Sequence, residues 1–566
     1  MMKKSILFLL GLALCLQAAA QIRFAPAPGI PLPENVKLYT DFAPDYDGHM
    51  AHMRPAWFIW TDGACTVAEA EALVDEMGLN DSLKDFVSVV AVISPVNGQT
   101  WDPEADLAVY KGLCNQLRVF VNLKAVGIGN GASFVNECIA PIASEIADIF
   151  CYGGKPAGKI SGTSTVPAYL AGKDAAKAAK AYIARDKVEL VEKGKTLQVY
   201  RSPSEPLMQV IVNTRPGSLR ETLDDAWERL LSVNYRLSNL GHTSYMGATL
   251  GQWGDYELEP YLMWERLGTE RTLVQKEIFE YNKKKDKYVW YEYVPAAMKD
   301  APAASVPLVI LLHGHNNDPR TQAETSGFVD LAAQEGFMVA ELEWQGRPDL
   351  GDYMGDAGIE AVVYDILSRH PQLDRTRIYA EGLSAGAFCA TALGVTKSHL
   401  FAAVGAHSGG IFNGELALGF PFMDPHALSE SARQKSGWVT MPYFSITGTV
   451  DDAVPFNDPS SSNGNMITGA WRLYQQLNGL PVSGPTDLAG WPIFGLPLEN
   501  RQRIETNKGH AMETGDLLDK EGRPVIRIVA VENFGHWNFV PGTREMWNFF
   551  KHWSRDPETL QSVWHD

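Results

Sequence analysis

Cysteine is scarce in this chain: there are six in 566 residues, and one of them, Cys15, lies in an apolar N-terminal stretch. The other five, Cys65, Cys114, Cys138, Cys151 and Cys389, are odd in number, scattered and without metal-site spacing. This excludes a disulfide-stapled scaffold and a cysteine-ligated metal centre. It leaves most of them as buried apolar side chains, with one bonded pair open to them in an oxidising compartment. Clustered positive charge is also missing. The formal charge is −18, and Lys283-Lys284-Lys285 runs into Asp286 as a turn would. Nucleic acid and anionic surfaces are therefore poor partners, and a neutral or apolar substrate is easier to reconcile. Past the N-terminus no apolar run approaches the roughly 18 residues of a spanning helix, so no membrane span is expected. Low-complexity tracts are absent, and 45% hydrophobic with 20% charged residues is a globular composition. At this length one ordinary core does not suffice, and two or more domains are expected.

The N-terminus itself reads as a secretory leader. Met1-Met2-Lys3-Lys4 precedes an apolar run from Ile6 to Leu16, and Ala18-Ala19-Ala20 follows as a cleavage site. Cleavage would leave Gln21 first and take the charge to −20 with the loss of Lys3 and Lys4. Leu14 before Cys15 is not small, which weakens a lipoprotein reading. The expectation is an exported protein, periplasmic or extracellular.

The most informative residues are Gly382-Leu383-Ser384-Ala385-Gly386. They follow the apolar Arg377-Ile378-Tyr379-Ala380 and precede the small-residue run Ala387 to Leu393, a strand, a sharp turn and a helix. A G-x-S-x-G in that setting is a nucleophile elbow, which lifts the serine hydroxyl above the sheet and aims backbone N–H groups at a reacting carbonyl. Around it, short strands and helices alternate. Val306 to Leu312 is a continuous apolar run ending in His313-Gly314-His315, and Phe337 to Leu342 is a second strand. Phe328 to Gln334 and Gly358 to His370 are helical, Phe401 to Ala406 and Tyr443 to Ile446 are strands, and Val525 to Val531 is the last good strand. An aromatic-rich helix from Arg544 to Trp553 closes the domain. Such alternation predicts a mostly parallel, helix-covered sheet.

Two further chemical groups lie just beyond strand ends: Asp451 in Gly448-Thr449-Val450-Asp451-Asp452, and His536 in Phe534-Gly535-His536-Trp537. The order Ser384, Asp451, His536 is that of an α/β-hydrolase triad. A serine hydroxyl is barely ionised at neutral pH, so His536 must take its proton, and Asp451 must hold the imidazole in the right tautomer. Asp452 is the alternative acid, with Asp458 a distant third. The backbone N–H groups of Ala385 and His315 are the candidate oxyanion hole. His407, after a strand, is a candidate substrate contact facing the cleft, or a loop-packing residue. Trp537 either walls the acyl or leaving-group pocket or belongs to the core. No metal or organic cofactor is implied.

The segments LLHGHNNDPR, RIYAEGLSAGA, LFAAVGAHSGG, GTVDDAVP and ENFGHWNFVPGT, in that order over about 300 to 555, resemble the esterase family of extracellular polyhydroxybutyrate depolymerases and feruloyl or acetylxylan esterases. The resemblance implies an α/β-hydrolase fold and a serine carboxylic-ester hydrolase, with the family's triad on Ser384, Asp451 and His536 and its oxyanion loop on His313 to His315. The sequence departs from the family at Pro481 to Asn500, a Pro/Gly/Trp-rich stretch read as a substrate lid or rim.

The first half reads as a second copy. Gly127-Ile128-Gly129-Asn130-Gly131-Ala132 repeats the elbow with Gly129 at the nucleophile position. Ala56 to Trp60 parallels the His313 strand, Ile146 to Gly154 the Phe401 segment, Val166 to Asp174 the segment up to Asp451, and Leu240-Gly241-His242 the histidine loop. The G-x-G-x-x-G spacing of a dinucleotide site is not met, and an ordinary glycine-rich turn is the rival reading. The expected architecture is two tandem α/β-hydrolase domains, mostly parallel sheets covered by helices, the first lacking its nucleophile. The boundaries are 1–20 for the leader, 21–270 for the degenerate copy and 271–566 for the catalytic one, which opens with an antiparallel hairpin of Val274 to Tyr281 and Lys287 to Pro295. The degenerate copy is a buttress, or it binds glycan on Trp57, Trp60 and Trp101. For the whole chain the expectation is a secreted esterase acting on an acyl ester, feruloyl or acetyl, on plant polysaccharide or small molecules. A polyester depolymerase and a non-catalytic glycan-binding protein are the alternatives.

Overall fold

Strand-length apolar runs become the centres of two large sheets. The computed structural model describes residues 25–26, 32–40, 55–80, 89–117, 122–160, 165–237, 257–260, 263–281, 284–315, 317–345, 354–412, 423–437, 439–451, 453–455, 466–482, 493, 495–506 and 510–566. The first sheet contains β1 (Ala25–Pro26), β2 (Val36–Thr40), β3 (Ala56–Trp60), β4 (Val89–Ile93), β5 (Leu123–Ile128), β6 (Ile146–Tyr152), β7 (Ala168–Ala171), β8 (Glu189–Lys193), β9 (Leu197–Arg201) and β10 (Gln209–Asn213). Its spatial order is β1-β2-β4-β3-β5-β6-β7-β10-β9-β8. The second sheet contains β11 (Glu270–Tyr281), β12 (Lys284–Val294), β13 (Val306–Leu312), β14 (Met338–Leu342), β15 (Leu373–Leu383), β16 (Ala403–His407), β17 (Tyr443–Gly448), β18 (Glu499–Ile504), β19 (Met512–Leu518) and β20 (Pro524–Val531). Its order is β11-β12-β14-β13-β15-β16-β17-β20-β19-β18. Adding ten to each label of the first sheet reproduces the second, so the chain holds the same α/β-hydrolase sheet twice. The sheets belong to two compact units whose main division falls between Ser232 and Val233.

In the second unit β13 lies between parallel neighbours, with Ile310 level with Ala340 on one side and Ala380 on the other. Five of its seven residues, Leu308 to Leu312, are consecutively buried, as a strand covered on both faces requires. The helix Ala385–Thr396 is buried from Ala385 through Val395, which its Ala- and Gly-rich sequence permits. Stacked pairs fill the core: Phe337 with Trp547 at 3.9 Å, Tyr443 with Tyr474 at 4.0 Å and Tyr379 with Phe550 at 5.1 Å.

Several elements differ from the sequence expectation. The closing helix runs Val540–Phe550, with a proline in its first turn where a missing N–H is harmless. Trp553 instead opens a short strand, Trp553–Arg555, paired with Ser562–Trp564. The strands β8, β9, β18 and β19 had no counterpart in the sequence reading. They are antiparallel extensions at one side of each sheet. All of β8 is exposed, so it carries no hydrophobic run to read. The end of the stretch read as a lid, Glu499-Asn500, is strand rather than loop; its residues 483–492 and 494 lie outside the described residues.

In the first unit β3 is buried throughout. Trp57 packs against Trp227 at 6.0 Å, and Trp60 against Tyr110 at 5.8 Å. Trp101 stacks on Phe134 at 4.9 Å while its indole N–H donates to the Thr61 carbonyl at 3.1 Å. The three tryptophans considered as a glycan platform are thus engaged with the protein itself, and Trp57 and Trp60 have no exposed surface. Cys65, Cys138, Cys151 and Cys389 are free thiols. Among the described residues, no helix is long and apolar enough to cross a membrane. The N-terminal leader lies outside the described residues.

Candidate active site

Strand β15 ends at Leu383, and Ser384 turns the chain into the helix Ala385–Thr396 with φ 54° and ψ −121°. A positive φ is costly for a residue with a Cβ, and it holds here because the surroundings leave no alternative. The Ser384 N–H donates to the His407 carbonyl at 3.0 Å. A Cβ on Gly382 would run into the backbone of Gly386, and one on Gly386 into the carbonyl of Leu312, so both motif glycines are sterically required. Ser384 is half-buried between buried neighbours, and the N–H of Ala385 belongs to the positive end of a twelve-residue helix.

Asp451 and His536 come together. The His536 Nδ1 is 2.8 Å from Asp451 Oδ2, and the other carboxylate oxygen, Oδ1, accepts from the N–H groups of Ala453 at 2.9 Å and Val454 at 3.0 Å. The carboxylate, 4% exposed, is therefore fixed at both oxygens. The two loops also meet backbone to backbone: Val450 N–H donates to the Phe534 carbonyl at 3.1 Å, and a Cβ on Gly448 would collide with that carbonyl. Asp452 lies outside the described residues.

The loop after β13 is held from below. His313 is buried, with Nδ1 2.9 Å from the Gly314 carbonyl and Nε2 3.0 Å from Glu343 Oε1. Burial disfavours its charged form, but the Glu343 carboxylate and the Gly314 carbonyl outweigh this and hold its pKa above the usual histidine range. Trp344 Nε1 donates to the His313 carbonyl at 2.9 Å, and Gln345 Nε2 to the Gly314 carbonyl at 2.8 Å. His315 stands exposed at the tip.

His407, a candidate substrate contact or a loop-packing residue, is the last residue of β16 and only 1% exposed. Its Nδ1 is 2.7 Å from Glu381 Oε1. Burial removes it from direct access to a solvent-borne substrate. Trp537 is 4% exposed, a core position rather than an open wall. Glu381 was not singled out from the sequence. It also accepts from Asn538 Nδ2 at 3.2 Å, and Asn538 Oδ1 accepts from Gln322. A glutamate inside an otherwise buried central strand was the signal that could have marked it. Among the described residues, no cluster of three or more His, Cys, Asp or Glu side chains could hold a metal ion.

The first unit carries the same turn. Gly129 has φ 56° and ψ −119°, within a few degrees of Ser384. Its N–H donates to the Tyr152 carbonyl at 2.9 Å, as that of Ser384 does to His407. A Cβ on Gly131 would meet the Trp60 carbonyl, the counterpart of Gly386 and Leu312. The nucleophile's place is taken by another group: a Cβ on Gly129 would overlap Asp62 Oδ1, which accepts from the Asn130 N–H at 2.6 Å. Asp174, the counterpart of Asp451, is paired with Lys177 at 2.8 Å. His242 lies outside the described residues.

Comparisons with known proteins place this site in context. Residues 289–470 match the model of the esterase family described as "Esterase PHB depolymerase". A bifunctional acetylxylan esterase/xylanase of Neocallimastix patriciarum is 22% identical over 256 residues, 45% of this chain and 32% of that protein. Poly(3-hydroxyalkanoate) depolymerase C of Paucimonas lemoignei is 29% identical over 133 residues, 21% of this chain and 31% of that protein. The chain thus spans about a third of the length of these curated relatives. Among solved structures, the acetyl xylan esterase from Aspergillus awamori aligns with a TM-score of 0.34 and 18% identity, covering 50% of this chain and 99% of that one. The feruloyl esterase module from Clostridium thermocellum aligns with a TM-score of 0.31 and 12% identity, covering 53% and 91%.

Proposed function

We propose that the second unit, matched by the PHB-depolymerase esterase family, is a serine carboxylic-ester hydrolase working through an acyl-enzyme, with Ser384 as nucleophile, His536 as base and Asp451 as its orienting acid. The observation that carries the reading is the 2.8 Å contact between His536 Nδ1 and a doubly anchored Asp451, in a unit that also holds a serine at φ 54° at the head of a helix. With Nδ1–H directed to Asp451, Nε2 is the basic nitrogen. Ser384 Oγ attacks the ester carbonyl as its proton passes to His536, and the tetrahedral oxyanion accepts from the N–H groups of Ala385 and His315. Collapse expels the alcohol, which takes the proton from His536. A water activated by the same imidazole then attacks the acyl-enzyme and releases the acid, regenerating the Ser384 hydroxyl. Each oxyanion donor contributes about 2.7–4 kcal/mol to the transition state.

The proposed substrates are feruloyl or acetyl esters, on plant polysaccharide or as small molecules, and the proposed setting is outside the cytoplasm, reached through the leader at 1–20. A polyester substrate is the second reading, favoured by the matching family model and the 29% identical depolymerase. Hydrolysis of methyl ferulate, acetylated xylan and polyhydroxybutyrate by the whole chain separates them. Release of acid from either of the first two supports the carbohydrate-ester reading, and turnover of polyhydroxybutyrate alone overturns it in favour of the second. The first unit, with Gly129 in place of a nucleophile, is proposed as a non-catalytic copy.

A further inference from the structure

Ionisable side chains lie where a central parallel strand is covered on both faces. Glu381, 2% exposed, sits on β15 three residues before Ser384. On β14, at the far side of β13, Glu341 is level with it across Leu311. Burial, then the neighbouring carboxyls of Glu381 and Glu343, push the Glu341 carboxyl well above the usual range. His407 Nδ1 lies 2.7 Å from Glu381 Oε1, and Asn538 Nδ2 donates to the same oxygen at 3.2 Å.

From Glu381 the contacts continue in one direction. The Glu381 oxygen takes Asn538 Nδ2 as its donor, so Asn538 presents its NH₂ to Glu381 and its carbonyl oxygen away. That oxygen accepts from Gln322 Nε2, whose own Oε1 accepts from Asn317 Nδ2 at 2.9 Å. Asn317 Nδ2 comes to rest beneath Gly314, where a Cβ would stand 2.8 Å from it, and the Asn317 N–H donates to the Gly314 carbonyl at 3.1 Å. Asn538, Gln322 and Asn317 are 0%, 3% and 5% exposed, so water does not compete for these bonds. Asn538 is two residues beyond His536, and Gly314 is in the loop that carries the His315 N–H. One carboxyl oxygen therefore sets the sense of the amides Asn538, Gln322 and Asn317 between the histidine loop and the oxyanion loop.

We propose that Glu381 is a positioning residue: held by His407, it orients the buried chain Asn538–Gln322–Asn317 and so fixes the His536 loop and the Gly314 loop in mutual register. The proposal rests on the ester-hydrolase reading above for its consequence in rate. Glu381→Gln keeps the shape and replaces the carboxyl by an amide. Its NH₂ can face Asn538, and the chain of amides then loses its single orientation. A displacement of about 1 Å at the two loops costs about 10–100-fold in rate. Substrate binding by the rest of the cleft is untouched.

The test uses the whole chain with nitrophenyl acetate, alongside the rate at which a fluorophosphonate probe labels Ser384. Glu381→Gln and Gln322→Ala are each expected to lower kcat about 10–100-fold with KM within about threefold, while the thermal transition stays cooperative. The double variant should lose no more than the worse single, because both break one chain. An unchanged kcat in folded Glu381→Gln overturns the proposal, as does multiplication of the two losses in the double variant. If Glu381→Gln melts below the assay temperature, Gln322→Ala decides alone, and an unchanged kcat in it overturns the proposal. If the wild type is labelled at Ser384 but leaves nitrophenyl acetate intact, the ester-hydrolase reading fails. The labelling rate then replaces kcat: a 10–100-fold drop in the variants supports the network, and an equal rate overturns it.

Discussion

The proposed nucleophile is a single group, the hydroxyl of Ser384, and its replacement gives a clear expectation. Ser384→Ala should abolish hydrolysis of nitrophenyl esters and leave the melting transition in place, checked by steady-state assay and thermal denaturation. At the acid, Asp451→Asn keeps the size of the side chain, but its NH₂ can face His536 Nδ1, which then becomes the acceptor and leaves Nε2 protonated. A loss of about 10⁴ in kcat is expected, against less than tenfold for Asp452→Asn; the two assayed side by side decide which carboxylate orients the imidazole. The sequence order of Ser384, Asp451 and His536 was enough to choose these three, because each lies just past an apolar run. Glu381, Asn538 and Gln322 were not legible in the same way. Their meaning lies in contacts across separations as long as 216 residues, and no local pattern marks a buried amide.

The elements that were legible are those with a full apolar run or a tight glycine turn. β13, β14, β16, β17 and β20 fall within three residues of their expected limits, since strands covered on both faces must be apolar throughout. β8 and β18 were not, because edge strands face water and carry charged residues such as Glu189, Glu192, Arg501 and Arg503 that read as loop. The elbow in the first unit yields a prediction at this scale. Gly129 has the backbone of Ser384, so Gly129→Ser takes on the same left-handed strain that Ser384 bears, and its Cβ also meets Asp62 Oδ1. The substitution should cost about 1–3 kcal/mol, read as a lower denaturant midpoint. Adding Asp62→Gly should recover part of that loss; no recovery would place the cost elsewhere in the turn.

At the scale of the whole molecule the two sheets share one strand order, although few residues are the same in the two halves. The repeat was visible in sequence through the glycines of the turn, where backbone geometry restricts residue choice, and through apolar strand segments such as Ala56 to Trp60 and Ile146 to Gly154 set in the same order around it. Stability should also carry a pH signature from the second unit. Burial, opposed by a Trp264 backbone hydrogen bond and reinforced by the Glu324 charge, raises the Asp330 carboxyl to about 7. Its folded value lies above the unfolded one, so the folded state binds the extra proton between about pH 4 and 7. The stabilisation is complete below about pH 4 and is lost as pH rises through 7. Asp330→Asn should therefore show a smaller fall in Tm than the wild type between pH 5 and 8, measured by calorimetry at matched ionic strength. Glu292 acts in the opposite sense. Burial opposes its ionisation, but hydrogen bonds from Arg369, His370 and Trp290 prevail and bring it down to about 2, so its contribution is lost as pH falls from about 4.5 toward 2.

The carboxylate of Asp62 beside Gly129 also bears on the history of the chain. A reversion at position 129 alone would produce a serine pressed against a charge that already occupies the neighbouring N–H. A change at Asp62 alone would strip that N–H of its acceptor and gain nothing catalytic. On the proposed reading of the first unit as a non-catalytic copy, each first step toward a serine at this turn is unfavourable on its own, and the glycine is held in place as by a ratchet. On that reading, divergence between the two halves can accumulate wherever the shared turn geometry does not forbid it.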